Sequence, residues 1–325
     1  MKSILLILLS LFPCSTVKEF VTAEDLKQWV FYLSSDQMKG RKNGSPEMKE
    51  AAEWISSRFG EYDIKFMDGH DSFIFGYSYN SRSGETNERN VIGLIEGSDP
   101  DLKNEILVLS AHFDHTGIRK GASADSINNG ADDNAAGTST LIGIAKYIKE
   151  SGIKPGRTIV FAAFSGEEDG IKGSRNFVFN LPFQAQRIYA NMNFEMTGHS
   201  EELGKGKYYM TGCPFSNLDD IIKSYITEPY IQLIDTIPIT NMLFNSSDNI
   251  SFSRISVRDG VATGIPSGTF ATSTLARYIH TPEDEAKLFD FDNMALIVNH
   301  LAEVALKLSK ERREVVWTDT KFRRP

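Results

Sequence analysis

Cysteine is nearly absent from this chain: Cys14 and Cys213 are the only two in 325 residues. A disulfide framework is therefore excluded, and the fold must be held by its core and by any ions it binds. Cys213 lies in Thr-Gly-Cys-Pro-Phe-Ser with no base partner beside it, which reads as a packed, inert thiol rather than a nucleophile. Positive charge is also short. There are 35 Lys and Arg against 43 Asp and Glu, a formal net charge of -8. That balance argues against a nucleic-acid partner and against an anionic membrane surface. Internal repeats, low-complexity segments and an obvious interdomain linker are missing as well.

Long apolar runs are lacking except at the start, MKSILLILLSLFPCST. Lys2 supplies a positive beginning, Ile4 to Phe12 an apolar centre, and Cys14-Ser15-Thr16 small residues for cleavage. The run is too short to span a bilayer. The reading is a signal peptide over 1–16, followed by one domain over 17–325 with an N-terminal helical extension, in a secreted or periplasmic protein. No membrane-spanning segment is expected in the mature chain. Lipid anchoring through Cys14 is a lesser alternative, because Pro13 stands where such signals prefer a small residue.

What is present is a regular alternation of elements. Thr22-Ala-Glu-Asp25 begins a helix with a capping box, and Leu26, Val30 and Leu33 follow at helical spacing. Residues 33–48 read as a polar loop, and Ser45-Pro46 opens a second helix with Met48, Ala52, Ile55 and Phe59 on one face. Residues 63–79 suggest a hairpin and 80–88 a solvated loop. From Asn90 onward, short β-rich runs (90–97, 105–112, 157–164, 187–194) alternate with helices (135–148, 171–179, 289–308). This predicts an α/β fold: three layers, α/β/α, around a mixed, mostly parallel sheet.

The chemistry-bearing residues follow those strands. His112 ends the run EILVLSAH, and Asp114, two residues on, faces the same way in an extended segment and would brace its imidazole. His115 lies next door but has Gly117 rather than a carboxylate two residues beyond it, so His112 is preferred. Asp132 and Asp133 stand in the small-residue run NNGADDNAAG. Alone they would read as helix caps, but the small neighbours permit close backbone approach, and one carboxylate has two oxygens for two cations. Asp133 is taken as that bridge. Glu167, Glu168 and Asp169 follow a wholly apolar strand, at the sheet edge where open α/β folds put their sites. Crowded like charges there call for a cation. Glu168 is then a ligand and Glu167 a general base toward a metal-bound water. Glu195 follows the strand ending at Phe194. His280 precedes Thr281-Pro282, with Asp284 near enough to brace it. Singly, each has a plainer reading as a surface group. Together, His112, Asp133, Glu168, Glu195 and His280 exceed what one open tetrahedral site needs, and suggest two metals sharing a carboxylate.

In order and spacing, AHFDHTG, NNGADDNAAG, FSGEEDGIKGS, NFEMTG and HTPEDE resemble the two-zinc aminopeptidase family. That family includes secreted bacterial leucyl-type aminopeptidases, aminopeptidase Y and glutamate carboxypeptidase II. The resemblance covers roughly 90–308, and residues 33–55 look like the family's helical opening. It implies two zinc ions: one on His112, Asp133 and Glu195, the other on Asp133, Glu168 and His280. Glu167 would be the base and Asp114 the brace. It also implies a cis peptide at Asp133-Asn134. The family's aminopeptidases usually carry Asp where this chain has Glu195, whereas its carboxypeptidases and deacylases use Glu. The expected activity is hydrolysis of the N-terminal peptide bond of peptides. The alternatives are a carboxypeptidase or deacylase of the same fold, or a one-zinc glutaminyl cyclase. A catalytically dead binding protein would have no chemical reason to keep Glu167. Side-chain specificity is expected to lie in the loops 214–250 and 265–274.

Overall fold

The computed structural model describes residues 19–81, 84–121, 125–237, 239–255, 264–274 and 278–319. The expected leader, 1–16, lies outside them. The helices are α1 (Ala23–Leu33), α2 (Pro46–Glu61), α3 (Gly137–Ser151), α4 (Lys172–Phe179), α5 (Leu218–Lys223), α6 (Ile239–Leu243), α7 (Asn249–Ser253) and α8 (Phe291–Ser309). The strands are β1 (Ile74–Ser81), β2 (Gly84–Ile95), β3 (Ile106–His112), β4 (Gly117–Ile118), β5 (Ile127–Asn128), β6 (Thr158–Phe164), β7 (Ile188–Phe194), β8 (Lys207–Met210), β9 (Gln232–Ile234) and β10 (Ser267–Ala271).

Eight strands form one sheet in the order β1-β2-β6-β3-β7-β10-β8-β9. Its centre, β6-β3-β7-β10, is parallel, while β1, β2 and β8 join antiparallel. Side-chain alternation divides each central strand between two cores. Leu107, Leu109, Ile159 and Phe161 face a layer built from α1, α2, α3 and α8. Ile106, Val108, Val160, Ala162 and Phe164 face the opposite layer, where Phe177 of α4 and Phe252 of α7 pack. The α/β/α sandwich expected from the sequence is therefore the observed architecture, and the central strands bring their carboxyl ends to one edge.

Local chemistry fixes the helix starts. Thr22 Oγ1 accepts from Asp25 N–H at 3.1 Å, and Asp25 Oδ2 accepts from Thr22 N–H at 2.9 Å, a complete capping box. Ser45 caps α2 ahead of Pro46, and Met48, Ala51, Ala52, Ile55 and Phe59 are its buried face.

Four expectations are corrected. The segment read as a solvated loop at 80–88 belongs mostly to the long antiparallel pair β1–β2, which pairs as far as Ser81 with Gly84. Its polar residues alternate on a half-exposed edge, so no apolar run announces it. The hairpin expected over 63–79 is instead an irregular crossing, with Lys65 bridging Leu94, that enters β1 at Ile74. The helix expected from Ala135 starts at Gly137, because 131–136 form a wide turn with non-helical Asp133 and Asn134. The segment 265–274, expected as a specificity loop, is largely β10, buried on both faces inside the sheet.

Candidate active site

The carboxyl ends of β3, β6 and β7 converge on Asp133. His112 is the last residue of β3, with Nε2 3.0 Å from Glu195 Oε1 and 3.3 Å from Asp133 Oδ1. The other oxygen of Asp133 faces a second group. Oδ2 lies 3.2 Å from His280 Nε2 and 3.4 Å from His115 Nδ1. Glu168 completes that group, with Oε2 3.0 Å from His280 Nε2 and Oε1 3.0 Å from His115 Nδ1. Two donor sets thus share one carboxylate: His112, Asp133 and Glu195, and His115, Asp133, Glu168 and His280. All five residues singled out as ligands meet here, together with one that sequence reasoning set aside.

The supports of this cluster are buried polar bonds. Asp114 Oδ1 and Oδ2 accept from the backbone N–H groups of Glu167 and Glu168, each at 3.1 Å, and Oδ2 also accepts from Asn43 Nδ2 at 2.7 Å. Asn43 Oδ1 in turn accepts from Gly166 N–H at 3.0 Å. The Asp114 carboxylate therefore pins the turn that carries both glutamates. Its contact with His112 is looser: Nδ1 is 3.3 Å from the Asp114 carbonyl oxygen and 3.7 Å from Oδ1. Asp284, expected to brace His280, instead accepts from the N–H groups of Asp132 and Asp133 at 2.7 and 3.0 Å. The turn after His280 buries Asp284 against the Asp133 loop. The Asp133-Asn134 bond is cis. Asn134 Nδ2 donates to the Phe194 carbonyl at 3.0 Å, tying this loop to the end of β7 beside Glu195.

Arg41, inside the segment read as a polar loop, is fully buried. Its guanidinium donates to the carbonyls of Leu33, Phe113, Asn129 and Gly130, the last three lying in the loops that bear His112, His115 and Asp133. Nothing in the local pattern distinguishes it from the neighbouring Lys39 and Lys42, both of which are exposed. Asp248, in Ser247-Asp248-Asn249, is also fully buried, and neither carboxylate oxygen makes a hydrogen bond. Burial pushes its carboxyl up to about 7, against the pull of His112.

Electrostatics bear most on Glu167, His112 and His280. Burial raises the Glu167 carboxyl well above its usual range, and Glu195, Asp248 and Asp114 push the same way against His112. His280 is held up at about 10 by the Asp133 and Glu168 carboxylates. His112 is raised too, because Asp114, Asp133 and Glu195 outweigh the burial that would lower it. Anionic oxygens and imidazoles packed this closely form the environment a divalent cation balances. The fit is testable atom by atom. Both ring nitrogens of His115 and Oε1 of Glu168 are buried without a hydrogen bond, although Nδ1 and Oε1 are only 3.0 Å apart. His115 Nδ1 and Glu168 Oε1, side by side without a hydrogen bond, suit a shared cation, and imidazole with carboxylate is a donor mix for zinc.

The profile of Peptidase family M28 matches residues 90–305, most of the chain. The chain belongs to peptidase family M28. It is a metallopeptidase, and family M28 accounts for every strand that bears a candidate ligand. Among its relatives, leucine aminopeptidase 1 of Trichophyton equinum is 27% identical over 280 residues, covering 79% of this chain and 68% of that protein. Leucine aminopeptidase 1 of Trichophyton rubrum is 27% identical over 232 residues, and the match spans 58% of its length. Aminopeptidase YwaD of Bacillus subtilis is 28% identical over 203 residues, 60% of this chain and 39% of that protein. Solved structures share the fold. BSAP, a zinc aminopeptidase from Bacillus subtilis, superposes with a TM-score of 0.66 at 16% identity, over 87% of this chain and 95% of its own. Porphyromonas gingivalis glutaminyl cyclase superposes at 0.65 with 14% identity, over 88% and 98%.

Cys213 is buried, its Sγ 3.2 Å from the Met210 carbonyl oxygen, and burial pushes the thiol up to about 12. Burial and a raised thiol fit the packed cysteine expected from the sequence. No helix among the described residues is long and apolar enough to cross a membrane.

Proposed function

We propose that this chain is a zinc aminopeptidase that uses two ions and hydrolyses the N-terminal peptide bond of peptides. The observation that carries it is Asp133, whose two oxygens face two separate donor sets beside Glu167. His112, Asp133 and Glu195 would hold one ion, and Asp133, Glu168 and His280 the other. Zinc bound there polarises the scissile carbonyl and lowers the pKa of water. The residues of the chain supply the rest. Glu167 Oε takes a proton from the attacking water and delivers it to the leaving amine nitrogen. Burial raises its carboxyl above the usual carboxylate range, the direction that makes it a stronger base toward that proton. Asp114 keeps Glu167 and Glu168 on opposite roles by gripping both of their amides.

Two donor sets favour this reading over the one-zinc cyclase. The aminopeptidase relatives favour it over a carboxypeptidase or deacylase, despite Glu195. Export through the 1–16 leader, and a single peptidase domain from residue 17, belong to the same proposal. The deciding experiment measures zinc content and turnover of aminoacyl-nitroanilides together. Glu167→Gln should keep its zinc and lose about 10²- to 10⁴-fold in kcat. Near wild-type turnover in that variant would remove Glu167 from its role. Pyroglutamate from an N-terminal Gln peptide, rather than a released amino acid, would favour the cyclase.

A further inference from the structure

His115 is the group that the reading above leaves without a task. It is 1% exposed, it lies against Asp133 and Glu168, and neither ring nitrogen makes a hydrogen bond. A buried neutral imidazole ordinarily donates from one nitrogen and accepts at the other, and leaving both unmade is costly. Its Nδ1 instead points where Glu168 and His280 point. It is 3.0 Å from Glu168 Oε1 and 3.4 Å from Asp133 Oδ2, while His280 Nε2 is 3.0 and 3.2 Å from the same two carboxylates. Four donors at about 2.0–2.2 Å from an ion in a tetrahedron lie roughly 3.3 Å from one another. The four imidazole–carboxylate spacings here, 3.0 to 3.4 Å, come close to that of such a shell.

The backbone is built to bring His115 in. Its N–H donates to the Arg41 carbonyl at 3.1 Å, and Gly130, at φ +60°, passes so close that an added Cβ would stand 2.5 Å from His115 Cγ. The ring is wedged between that turn and the donors.

We infer that His115 is a fourth protein ligand of the site formed by Asp133, Glu168 and His280. This rests on the zinc-peptidase reading and deepens it, because it makes the two sites unlike. The His115 site has four protein donors and is closed, as structural zinc sites are. The His112 site has three, so a position for water or substrate remains there. Chemistry is therefore assigned to the His112 site, and the His115 site holds its ion as a fixed, non-exchanging partner.

The test uses the full-length enzyme stripped with chelator, and reads metal binding rather than activity. Zinc affinity is measured by competition with a chromophoric chelator, and cobalt(II) is added as a spectroscopic probe. The wild type should take up two ions, one much tighter than the other, with an intense visible band from four-coordinate cobalt. His115→Gln should weaken the tight ion by at least about tenfold, since even outer-shell losses cost 10- to 100-fold, and should bleach that band. His115→Cys serves as the positive counterpart, because a thiolate in the shell gives a sulfur-to-cobalt charge-transfer band in the near ultraviolet. His280→Gln separates the two readings. If His280→Gln loses the tight ion while His115→Gln keeps it and His115→Cys shows no charge-transfer band, His115 is not a ligand and the two-zinc reading stands. If none of the variants alters zinc binding, both readings fall.

Discussion

At the scale of single residues, Arg41 bears the most structure for the least sequence signal. It reads as one cation among several in a polar stretch, yet it lies at 0% exposure with four carbonyl acceptors. Each acceptor left unpaired in a buried site costs about 1–3 kcal/mol. Arg41→Met should therefore destabilise the fold by more than about 4 kcal/mol in urea denaturation. Arg41→Lys, with fewer donors and no planar fork, should recover only part of that. His300 offers a pH signature away from the active site. Burial lowers its imidazole to about 4, and its Nε2 pairs with the Tyr208 hydroxyl at 3.1 Å. The folded state keeps it neutral, while the unfolded chain binds a proton below about 6.5. The unfolded state thus carries more protons between about 4 and 6.5, so stability falls as pH drops through that window. The wild type should lose up to about 3 kcal/mol more than His300→Gln across it, when the two are compared by denaturation at pH 7 and pH 4.5. His112, Glu168 and Glu195 were legible because each ends or follows an apolar strand, and Asp133 and His280 because each stands in a recognisable string. His115 was not, because its relevance depends on how the chain turns after Asp114 rather than on which residue follows it.

Among the elements, the turn at 129–137 matters most. Gly130 is left-handed at φ +60°, and a Cβ there would lie 2.4 Å from the Asp133 carbonyl oxygen as well as against His115. Gly130→Ala should cost several kcal/mol of stability, combining an unfavourable φ with backbone contact. It should also weaken zinc retention on dialysis, whereas substitution of the unobstructed Gly69 should not. The central strands 106–112, 158–164 and 188–194 were legible from apolar runs buried on both faces. Three others were not. β8 and β9 have four and three residues, too short for any periodicity to speak. β10 is Ser-Gly-Thr-Phe-Ala, whose small polar members survive in the core because they bond there. Thr269 Oγ1 donates to Asn249 Oδ1 at 2.9 Å, and Ser267 Oγ donates to the Asn249 carbonyl at 2.9 Å.

For the whole molecule, the candidate ligands span residues 112 to 280, so occupied sites would tie the sheet's carboxyl edge to the loop that follows β10. Ions that bind the folded state alone raise its stability by mass action, by about 2.7 kcal/mol at a hundredfold excess over Kd. Removing zinc with chelator should therefore lower Tm by about 5–10 °C as well as abolish turnover, and added zinc should restore both. A melting temperature unmoved by chelation would mean that the acidic cluster stands without ions. That the fold is one layered sandwich was readable from the alternation of runs. That Asp284 turns back beneath Asp133, and that Asp248 waits partnerless near the glutamates, required the tertiary structure.

The sealed position of Cys213 reaches beyond packing. A sulfhydryl with so little thiolate at neutral pH neither attacks disulfides nor reacts readily with peroxide or alkylating agents. Oxidation or reduction at Cys213 should therefore leave turnover unchanged, and assays need no thiol to protect it, which would compete with the protein for zinc.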